Sequence, residues 1–156
     1  MHPYHITPDE PLGRLFADTA KLHRDLFRKL AHQNGLEHGQ PFVLAIIIAN
    51  EGISQRQLSE KLFITPASTT ALLQKLEKAG LIERIPDPND QRAFCIYATE
   101  KGRMVDQRMK EGLQELEKAC FYNFSQQELE EFRRLLLKLH QNLYNLNQGE
   151  WRSKIW

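Results

Sequence analysis

Cysteine is scarce in this 156-residue chain, with only Cys95 and Cys120 present. Two thiols cannot brace a disulfide-rich scaffold or supply a four-cysteine zinc site. Their scarcity suits a reducing cytoplasm. Long apolar runs are missing as well. The longest, Phe42–Ala49, is eight residues, far short of the roughly 20 that cross a bilayer, so no membrane partner is expected. No basic segment leads into an apolar stretch at the start, so no signal peptide is expected. An excess of one charge is absent too: 21 Lys and Arg stand against 20 Asp and Glu, a net of +1. Any basic surface must come from placement and not from total charge. Finally, the sequence holds no nucleophile elbow, phosphate-binding glycine loop, helical metal-ligand pair or dinucleotide fingerprint, so neither catalysis nor a cofactor is expected.

What is present is an ordinary folding composition, 41% hydrophobic and 26% charged, on a length that suits one domain with a real core. The pattern is mainly α with a small β-hairpin. Thr7-Pro8-Asp9-Glu10 reads as a capping box opening a helix. Leu12, Leu15, Phe16, Leu22, Leu26, Phe27 and Leu30 follow at helical spacing up to Asn34-Gly35. Pro41 leads a second helix, Phe42 to Asn50, apolar nearly all round and therefore expected to be buried. Its three isoleucines would also suit a strand, but Pro41 before it and Asn50-Glu51-Gly52 after it favour a helix. Ser54 with Gln57 forms another capping box. Thr65-Pro66 opens the next helix, which Gly80 ends. Leu81–Ile85 and Ala93–Ala98 are strands joined by the polar turn Pro86–Arg92. Thr99 caps a long helix to about Tyr122. Ser125 with Glu128 caps the last, running to Gly149, with Leu129, Phe132, Leu136, Leu139, Leu143 and Leu146 in a heptad seam.

Two short helices joined by a tight turn and followed by a hairpin can present the second helix to a DNA major groove. In the helix from Pro66 to Ala79, the leucines hold one face inside, while Ala67, Ala71, Gln74 and Lys78 lie opposite. Thr65, Pro66, Ala67, Ser68 and Thr70 are small, which allows close approach to base edges. Hydroxyls and a helix N-terminus favour phosphate, and Gln74 suits adenine. Arg92 at the hairpin tip suits a minor groove, with Asp90 holding it. Ser54, Gln55, Arg56, Lys75 and Arg84 sit where contacts to DNA are expected.

These residues carry a resemblance. Ser54-Gln55-x-x-Leu58-Ser59-x-x-Leu62, then Thr65-Pro66-Ala67-Ser68-Thr69-Thr70-x-Leu72-Leu73-x-x-Leu76-Glu77-x-x-Gly80-Leu81-Ile82-x-Arg84, then Asp87-Pro88-x-Asp90-x-Arg92 and Thr99-Glu100-x-Gly102 closely resemble the MarR/SlyA family of winged helix-turn-helix regulators. The resemblance implies a single MarR-like domain over residues 1–156. Within it, residues 41–98 would form the winged helix-turn-helix lobe, and 7–34 and 100–148 the N- and C-terminal dimerisation helices. It implies a homodimer on a pseudo-palindromic double-stranded DNA site, more often a repressor. The helix at 66–79 would read bases and the wing at 86–92 would reach the minor groove. Ala71 stands where many members carry a basic residue, which shifts weight to Gln74, Lys75 and Arg92.

Leu12 and Leu15, with the last-helix seam, are expected at the dimer interface; a helix pair within one chain is the plainer alternative. Phe16, His23, Phe27, Phe42 and Ile46 would line a cleft for a small aromatic or lipophilic effector, or else serve as plain core. His2, His5, His32 and His38 lack convincing metal-ligand spacing, so no metal is expected. Cys95 and Cys120 read as buried structural thiols before redox sensors. Two further functional alternatives stand: a winged-helix module for protein contacts without DNA binding, and a thiol redox-sensing regulator.

Overall fold

Pro11 decides where the first helix begins. Proline disfavours helical backbone in the residue before it, and α1 (Leu12–Gln33) starts directly after Pro11. The Thr7 capping box expected from sequence is therefore not formed. Residues 7–10 instead make a turn, closed by the Glu10 amide donating to the Thr7 carbonyl at 3.1 Å. The computed structural model describes residues 7–87 and 90–147, and the side chains of all of these except 90–93. His2, His5, the expected stop at Gly149 and the tail from Trp151 lie outside the described residues.

α2 (Gln40–Ala49) has proline in its first turn and is a helix, not the strand its isoleucines also suited. Val43, Leu44 and Ile47 are buried, but Phe42 is 62% exposed. The expectation of burial all round is thus too strong: a ten-residue helix seated on one side keeps one face outward. Then come β1 (Ile53–Ser54), α3 (Gln55–Leu62), α4 (Pro66–Lys78), β2 (Ile82–Asp87), β3 (Asp90–Ala98), α5 (Glu100–Cys120) and α6 (Gln126–Asn145). The sheet has three antiparallel strands in the order β1-β3-β2, not the two of the expected hairpin. β1 pairs Ile53 with Ile96 and Ser54 with Cys95. A two-residue strand leaves no alternating pattern to read in sequence.

Leu58, Leu73, Leu76 and Ile47 are fully inaccessible and join Leu36, Ile53, Leu81, Ile82, Ile96, Val105 and Met109 in one core. Each such side chain contributes about 1.5–3 kcal/mol by leaving water. The chain divides into two compact units, Met1–Leu116 and Glu117–Trp156, with the boundary inside α5. In the second unit Ser125 and Glu128 form the expected capping box. Phe121, Phe124 and Phe132 pack there at centroid separations of 5.4 to 6.2 Å. No residue of α6 is buried.

The segment after α4 explains the Thr-Glu-x-Gly pattern. Gly80, at φ +69°, turns the chain in a conformation that side chains rarely adopt. Thr99 then donates its hydroxyl to the Gly80 carbonyl at 2.7 Å and accepts from the Gly102 amide at 3.1 Å. This caps α5 and ties it to the exit of α4. Gly102 lies so close to Leu81 that a Cβ there would sit 2.1 Å from the Leu81 carbonyl oxygen. Backbone, not a flexible side chain, is in the way. Gly102→Ala is therefore expected to lower unfolding free energy by about 1–3 kcal/mol, read by urea denaturation. Wild-type stability would show that α5 is not held at this contact.

Candidate nucleic-acid interface

Buried leucines and hydroxyls set α3 against α4. Leu58, Leu73 and Leu76 interlock at full burial. Beside them Thr69 is also fully buried. Ser59 donates to Thr69 at 2.9 Å, and Thr69 donates to the Thr65 carbonyl at 3.2 Å. A buried hydroxyl is costly without partners, so this relay rewards one mutual placement of the two helices. Gln55 Nε2 adds a second bridge to Thr70 Oγ1 at 2.7 Å, and Thr70 donates on to the Pro66 carbonyl at 2.9 Å.

The caps follow the sequence reading. Ser54 caps α3 through a box with Gln57. Thr65 caps α4 by accepting from the Ser68 amide, with Pro66 in its first turn. Pro66, Ala67, Ser68, Ala71, Gln74 and Lys78 are all exposed along the outer side of α4. Gln74 has no side-chain partner among the described residues. The entrance to the helix thus carries small groups and amide donors, followed by one amide side chain able to make paired hydrogen bonds.

The cations are placed differently from a set of free contacts. Arg56 donates to Glu60 at 3.0 Å. Lys75 donates to Glu37 at 2.5 Å. That bond, with the lysine charge, holds the Glu37 carboxyl below the ordinary carboxylate range. Arg84 lies 3.2 Å from Glu77 with its side chain only 21% exposed. The two are close without being aligned as a hydrogen bond, and Arg84 Nε and Nη2 are cut off from water with no hydrogen-bond partner among the described residues. Arg84 therefore braces β2 against α4 in the free protein. Glu37 and Glu60 stand in no sequence motif, and the motif that includes Glu77 gives it no partner. Only Glu60, four residues from Arg56 on one helix, left a readable spacing.

Asp90 and Arg92 begin β3, with Asp90 paired to Asp87 at the end of the hairpin. Their side chains lie outside the described residues. The wing has a register shift between Pro86 and Asp87, a device that bends a strand at its tip.

Of the expected effector residues, Phe27 and Phe42 stack at 5.5 Å. Ile46 is half-buried and His23 exposed. Phe16 is 42% exposed, about two turns before His23 and about three before Phe27 on the same side of α1. Cys120 is exposed and Cys95 half-buried, which corrects the reading of both as buried thiols. Burial, then the Asp87 carboxylate, pushes the Cys95 thiol up, away from thiolate. Among the described residues no group of three or more His, Cys, Asp or Glu could hold a metal ion, and no helix is long and apolar enough to cross a membrane.

Because Glu77 is the carboxylate beside Arg84 among the described residues, Glu77→Gln should leave the Arg84 charge uncompensated. A loss of about 1 kcal/mol in unfolding free energy is expected, allowing for the exposed side of the pair. Arg84→Met, apolar and similar in reach, should be neutral or stabilising. Chemical denaturation of both variants checks this, and a strongly destabilised Arg84→Met would contradict it.

A sequence model described as the MarR family matches residues 34–93. The helix-turn-helix (HTH-type) transcriptional regulator TtmR of Methylorubrum extorquens (strain PA1) is 32% identical over 83 residues, 53% of this chain and 43% of TtmR. The chain thus matches less than half the length of that relative. The uncharacterized HTH-type transcriptional regulator YwhA of Bacillus subtilis (strain 168) is 31% identical over 100 residues, 64% of this chain and 72% of YwhA. A mutant MarR from E. coli, solved in complex with operator DNA, superimposes with a TM-score of 0.66 at 25% identity, over 83% of this chain and 93% of that one. Both sequence relatives are named as transcriptional regulators. Motifs, strand order and relatives agree that this chain belongs to the MarR family of winged-helix transcriptional regulators.

Proposed function

We propose that the chain acts as a homodimer in the cytoplasm, binding a pseudo-palindromic operator as a repressor and leaving it when a small aromatic or lipophilic effector binds. One observation carries the DNA reading: an α4 seated by its buried Thr69, Leu73 and Leu76, whose outer face, Pro66 to Lys78, is open, with a wing that has a register shift near its tip. In this reading Ala67 and Ser68 approach base edges and Gln74 pairs with adenine. Amides at the α3 and α4 entrances, with Ser54, Gln55, Thr65 and Thr70, take phosphates. Arg92 enters the minor groove, ordered by Asp90. That MarR from E. coli was solved with operator DNA supports the same use of the shared fold here.

The partner subunit is inferred from apolar surface left uncovered in each unit. Leu12 is 82% and Leu26 44% exposed on α1. On α6, Phe132, Leu136 and Leu143 are each more than 40% exposed, along the seam that Leu129, Leu139 and Leu146 complete. Apolar surface on this scale favours burial by a second copy. Two copies then set two α4 helices about one helical turn apart, roughly 10 bp. The effector role rests on the Phe27–Phe42 stack, because Phe42 remains largely open to a flat apolar ligand. A ligand favouring a dimer with wrongly spaced lobes would release DNA.

Arg92→Ala should weaken operator binding by about 1–3 kcal/mol and flatten the salt dependence, with dimer and stability unchanged. Fluorescence anisotropy over a salt series reads both, and unaltered affinity would remove the wing from the interface. Leu136→Asp with Leu139→Asp should yield monomers by light scattering, since carboxylates are not buried cheaply in an apolar seam. A double variant that remains dimeric would place the interface elsewhere. If no duplex binds even at low salt, the module serves protein contacts instead.

A further inference from the structure

We propose that Phe63 is a DNA-contacting residue, its ring packing on deoxyribose where the operator backbone passes between the entrances of α3 and α4. This rests on the DNA-binding reading above. Three features single it out. Phe63 is 94% exposed. It stands in left-handed backbone, at φ 53° and ψ 38°, and among the described residues no other non-glycine has a positive φ. A bulky residue there is disfavoured, and glycine would relieve the backbone. The chain thus carries a strained position and an uncovered ring together, a pairing that points to use outside the folded lobe.

Its surroundings say which use. Phe63 lines an open cleft together with Gln55 and Arg56 at the start of α3, Ser59, Glu60 and Ile64, and Pro66 at the start of α4. Both helix entrances are expected to hold phosphates, so a strand running from one to the other crosses the ring. Among the described residues the cleft adds no free cation, since Arg56 is paired with Glu60. Nor does the ring lie on the α4 stripe of Ala67, Ala71 and Gln74 that would read bases. An apolar ring between two phosphate contacts suits the sugar between them. Such a contact raises affinity without releasing counterions.

The test uses the full chain and a duplex selected by the wild type. Phe63→Gly and Phe63→Asn, both tolerant of left-handed backbone, should melt no lower than wild type. Their affinity for the duplex should fall by about tenfold, the scale of burying part of one aromatic ring, while the slope of log K against log salt stays unchanged. Unchanged affinity in folded variants overturns the proposal and leaves the winged-helix reading intact. A changed slope also overturns it, because the ring would then be acting through a charge contact. Lower melting of both variants removes the strain argument and overturns it too. Wild-type protein that binds no duplex overturns this inference together with the DNA reading beneath it.

Discussion

Everything proposed for this protein depends on how α3 holds α4. Leucines from both helices supply the attraction, but apolar packing alone tolerates sliding. The buried Ser59–Thr69 hydroxyl pair does not, because a shift would lose the bond that joins the two helices there. The Gln55–Thr70 bond at the helix entrances reinforces the same placement. On the far side, Thr99 and Gly102 fix the exit of α4 to the start of α5. A helix anchored at both ends and along its inner face can offer its outer face to a groove with little loss of freedom on binding.

The charges follow a different logic from the scaffold. A net charge of +1 gives no general attraction to nucleic acid. Arg56, Lys75 and Arg84 each have a carboxylate beside them in the free protein. For Arg56 and Lys75, binding a phosphate means exchanging one anion for another on the surface, where such pairs are worth little. Arg84 is more deeply set, and its pairing with Glu77 serves the joint between wing and α4. DNA affinity in this account comes mainly from backbone amides at the helix entrances, the amide of Gln74, apolar contact and the wing arginine. Weak stray binding to other polyanions is the corresponding expectation.

Much of this was legible in the sequence for local reasons. Ser54 with Gln57, Thr65 before Pro66, and Ser125 with Glu128 announced helix starts, since a cap is a contact over three residues. The motif from Ser54 to Gly102 specified the lobe. Local rules also misled: Thr7 and Glu10 matched a capping box, yet Pro11 moved the helix start. β1 was invisible because two residues carry no period. Phe42 looked like core because composition does not say which side of a helix meets its neighbours. The carboxylate partners Glu37 and Glu77 were beyond reach, as their pairings depend on tertiary placement. Phe63 belongs to no sequence pattern; its significance lies in exposure and backbone conformation, which the chain expresses only once folded.

The central claim is that a paired scaffold holds two copies of α4 and the wing at the pitch of DNA. Selection of bound sequences from random duplex DNA tests it most directly. The account predicts enrichment of an inverted repeat whose half-sites are centred roughly 10 bp apart. Enrichment of a lone half-site, or none at low salt, would contradict it.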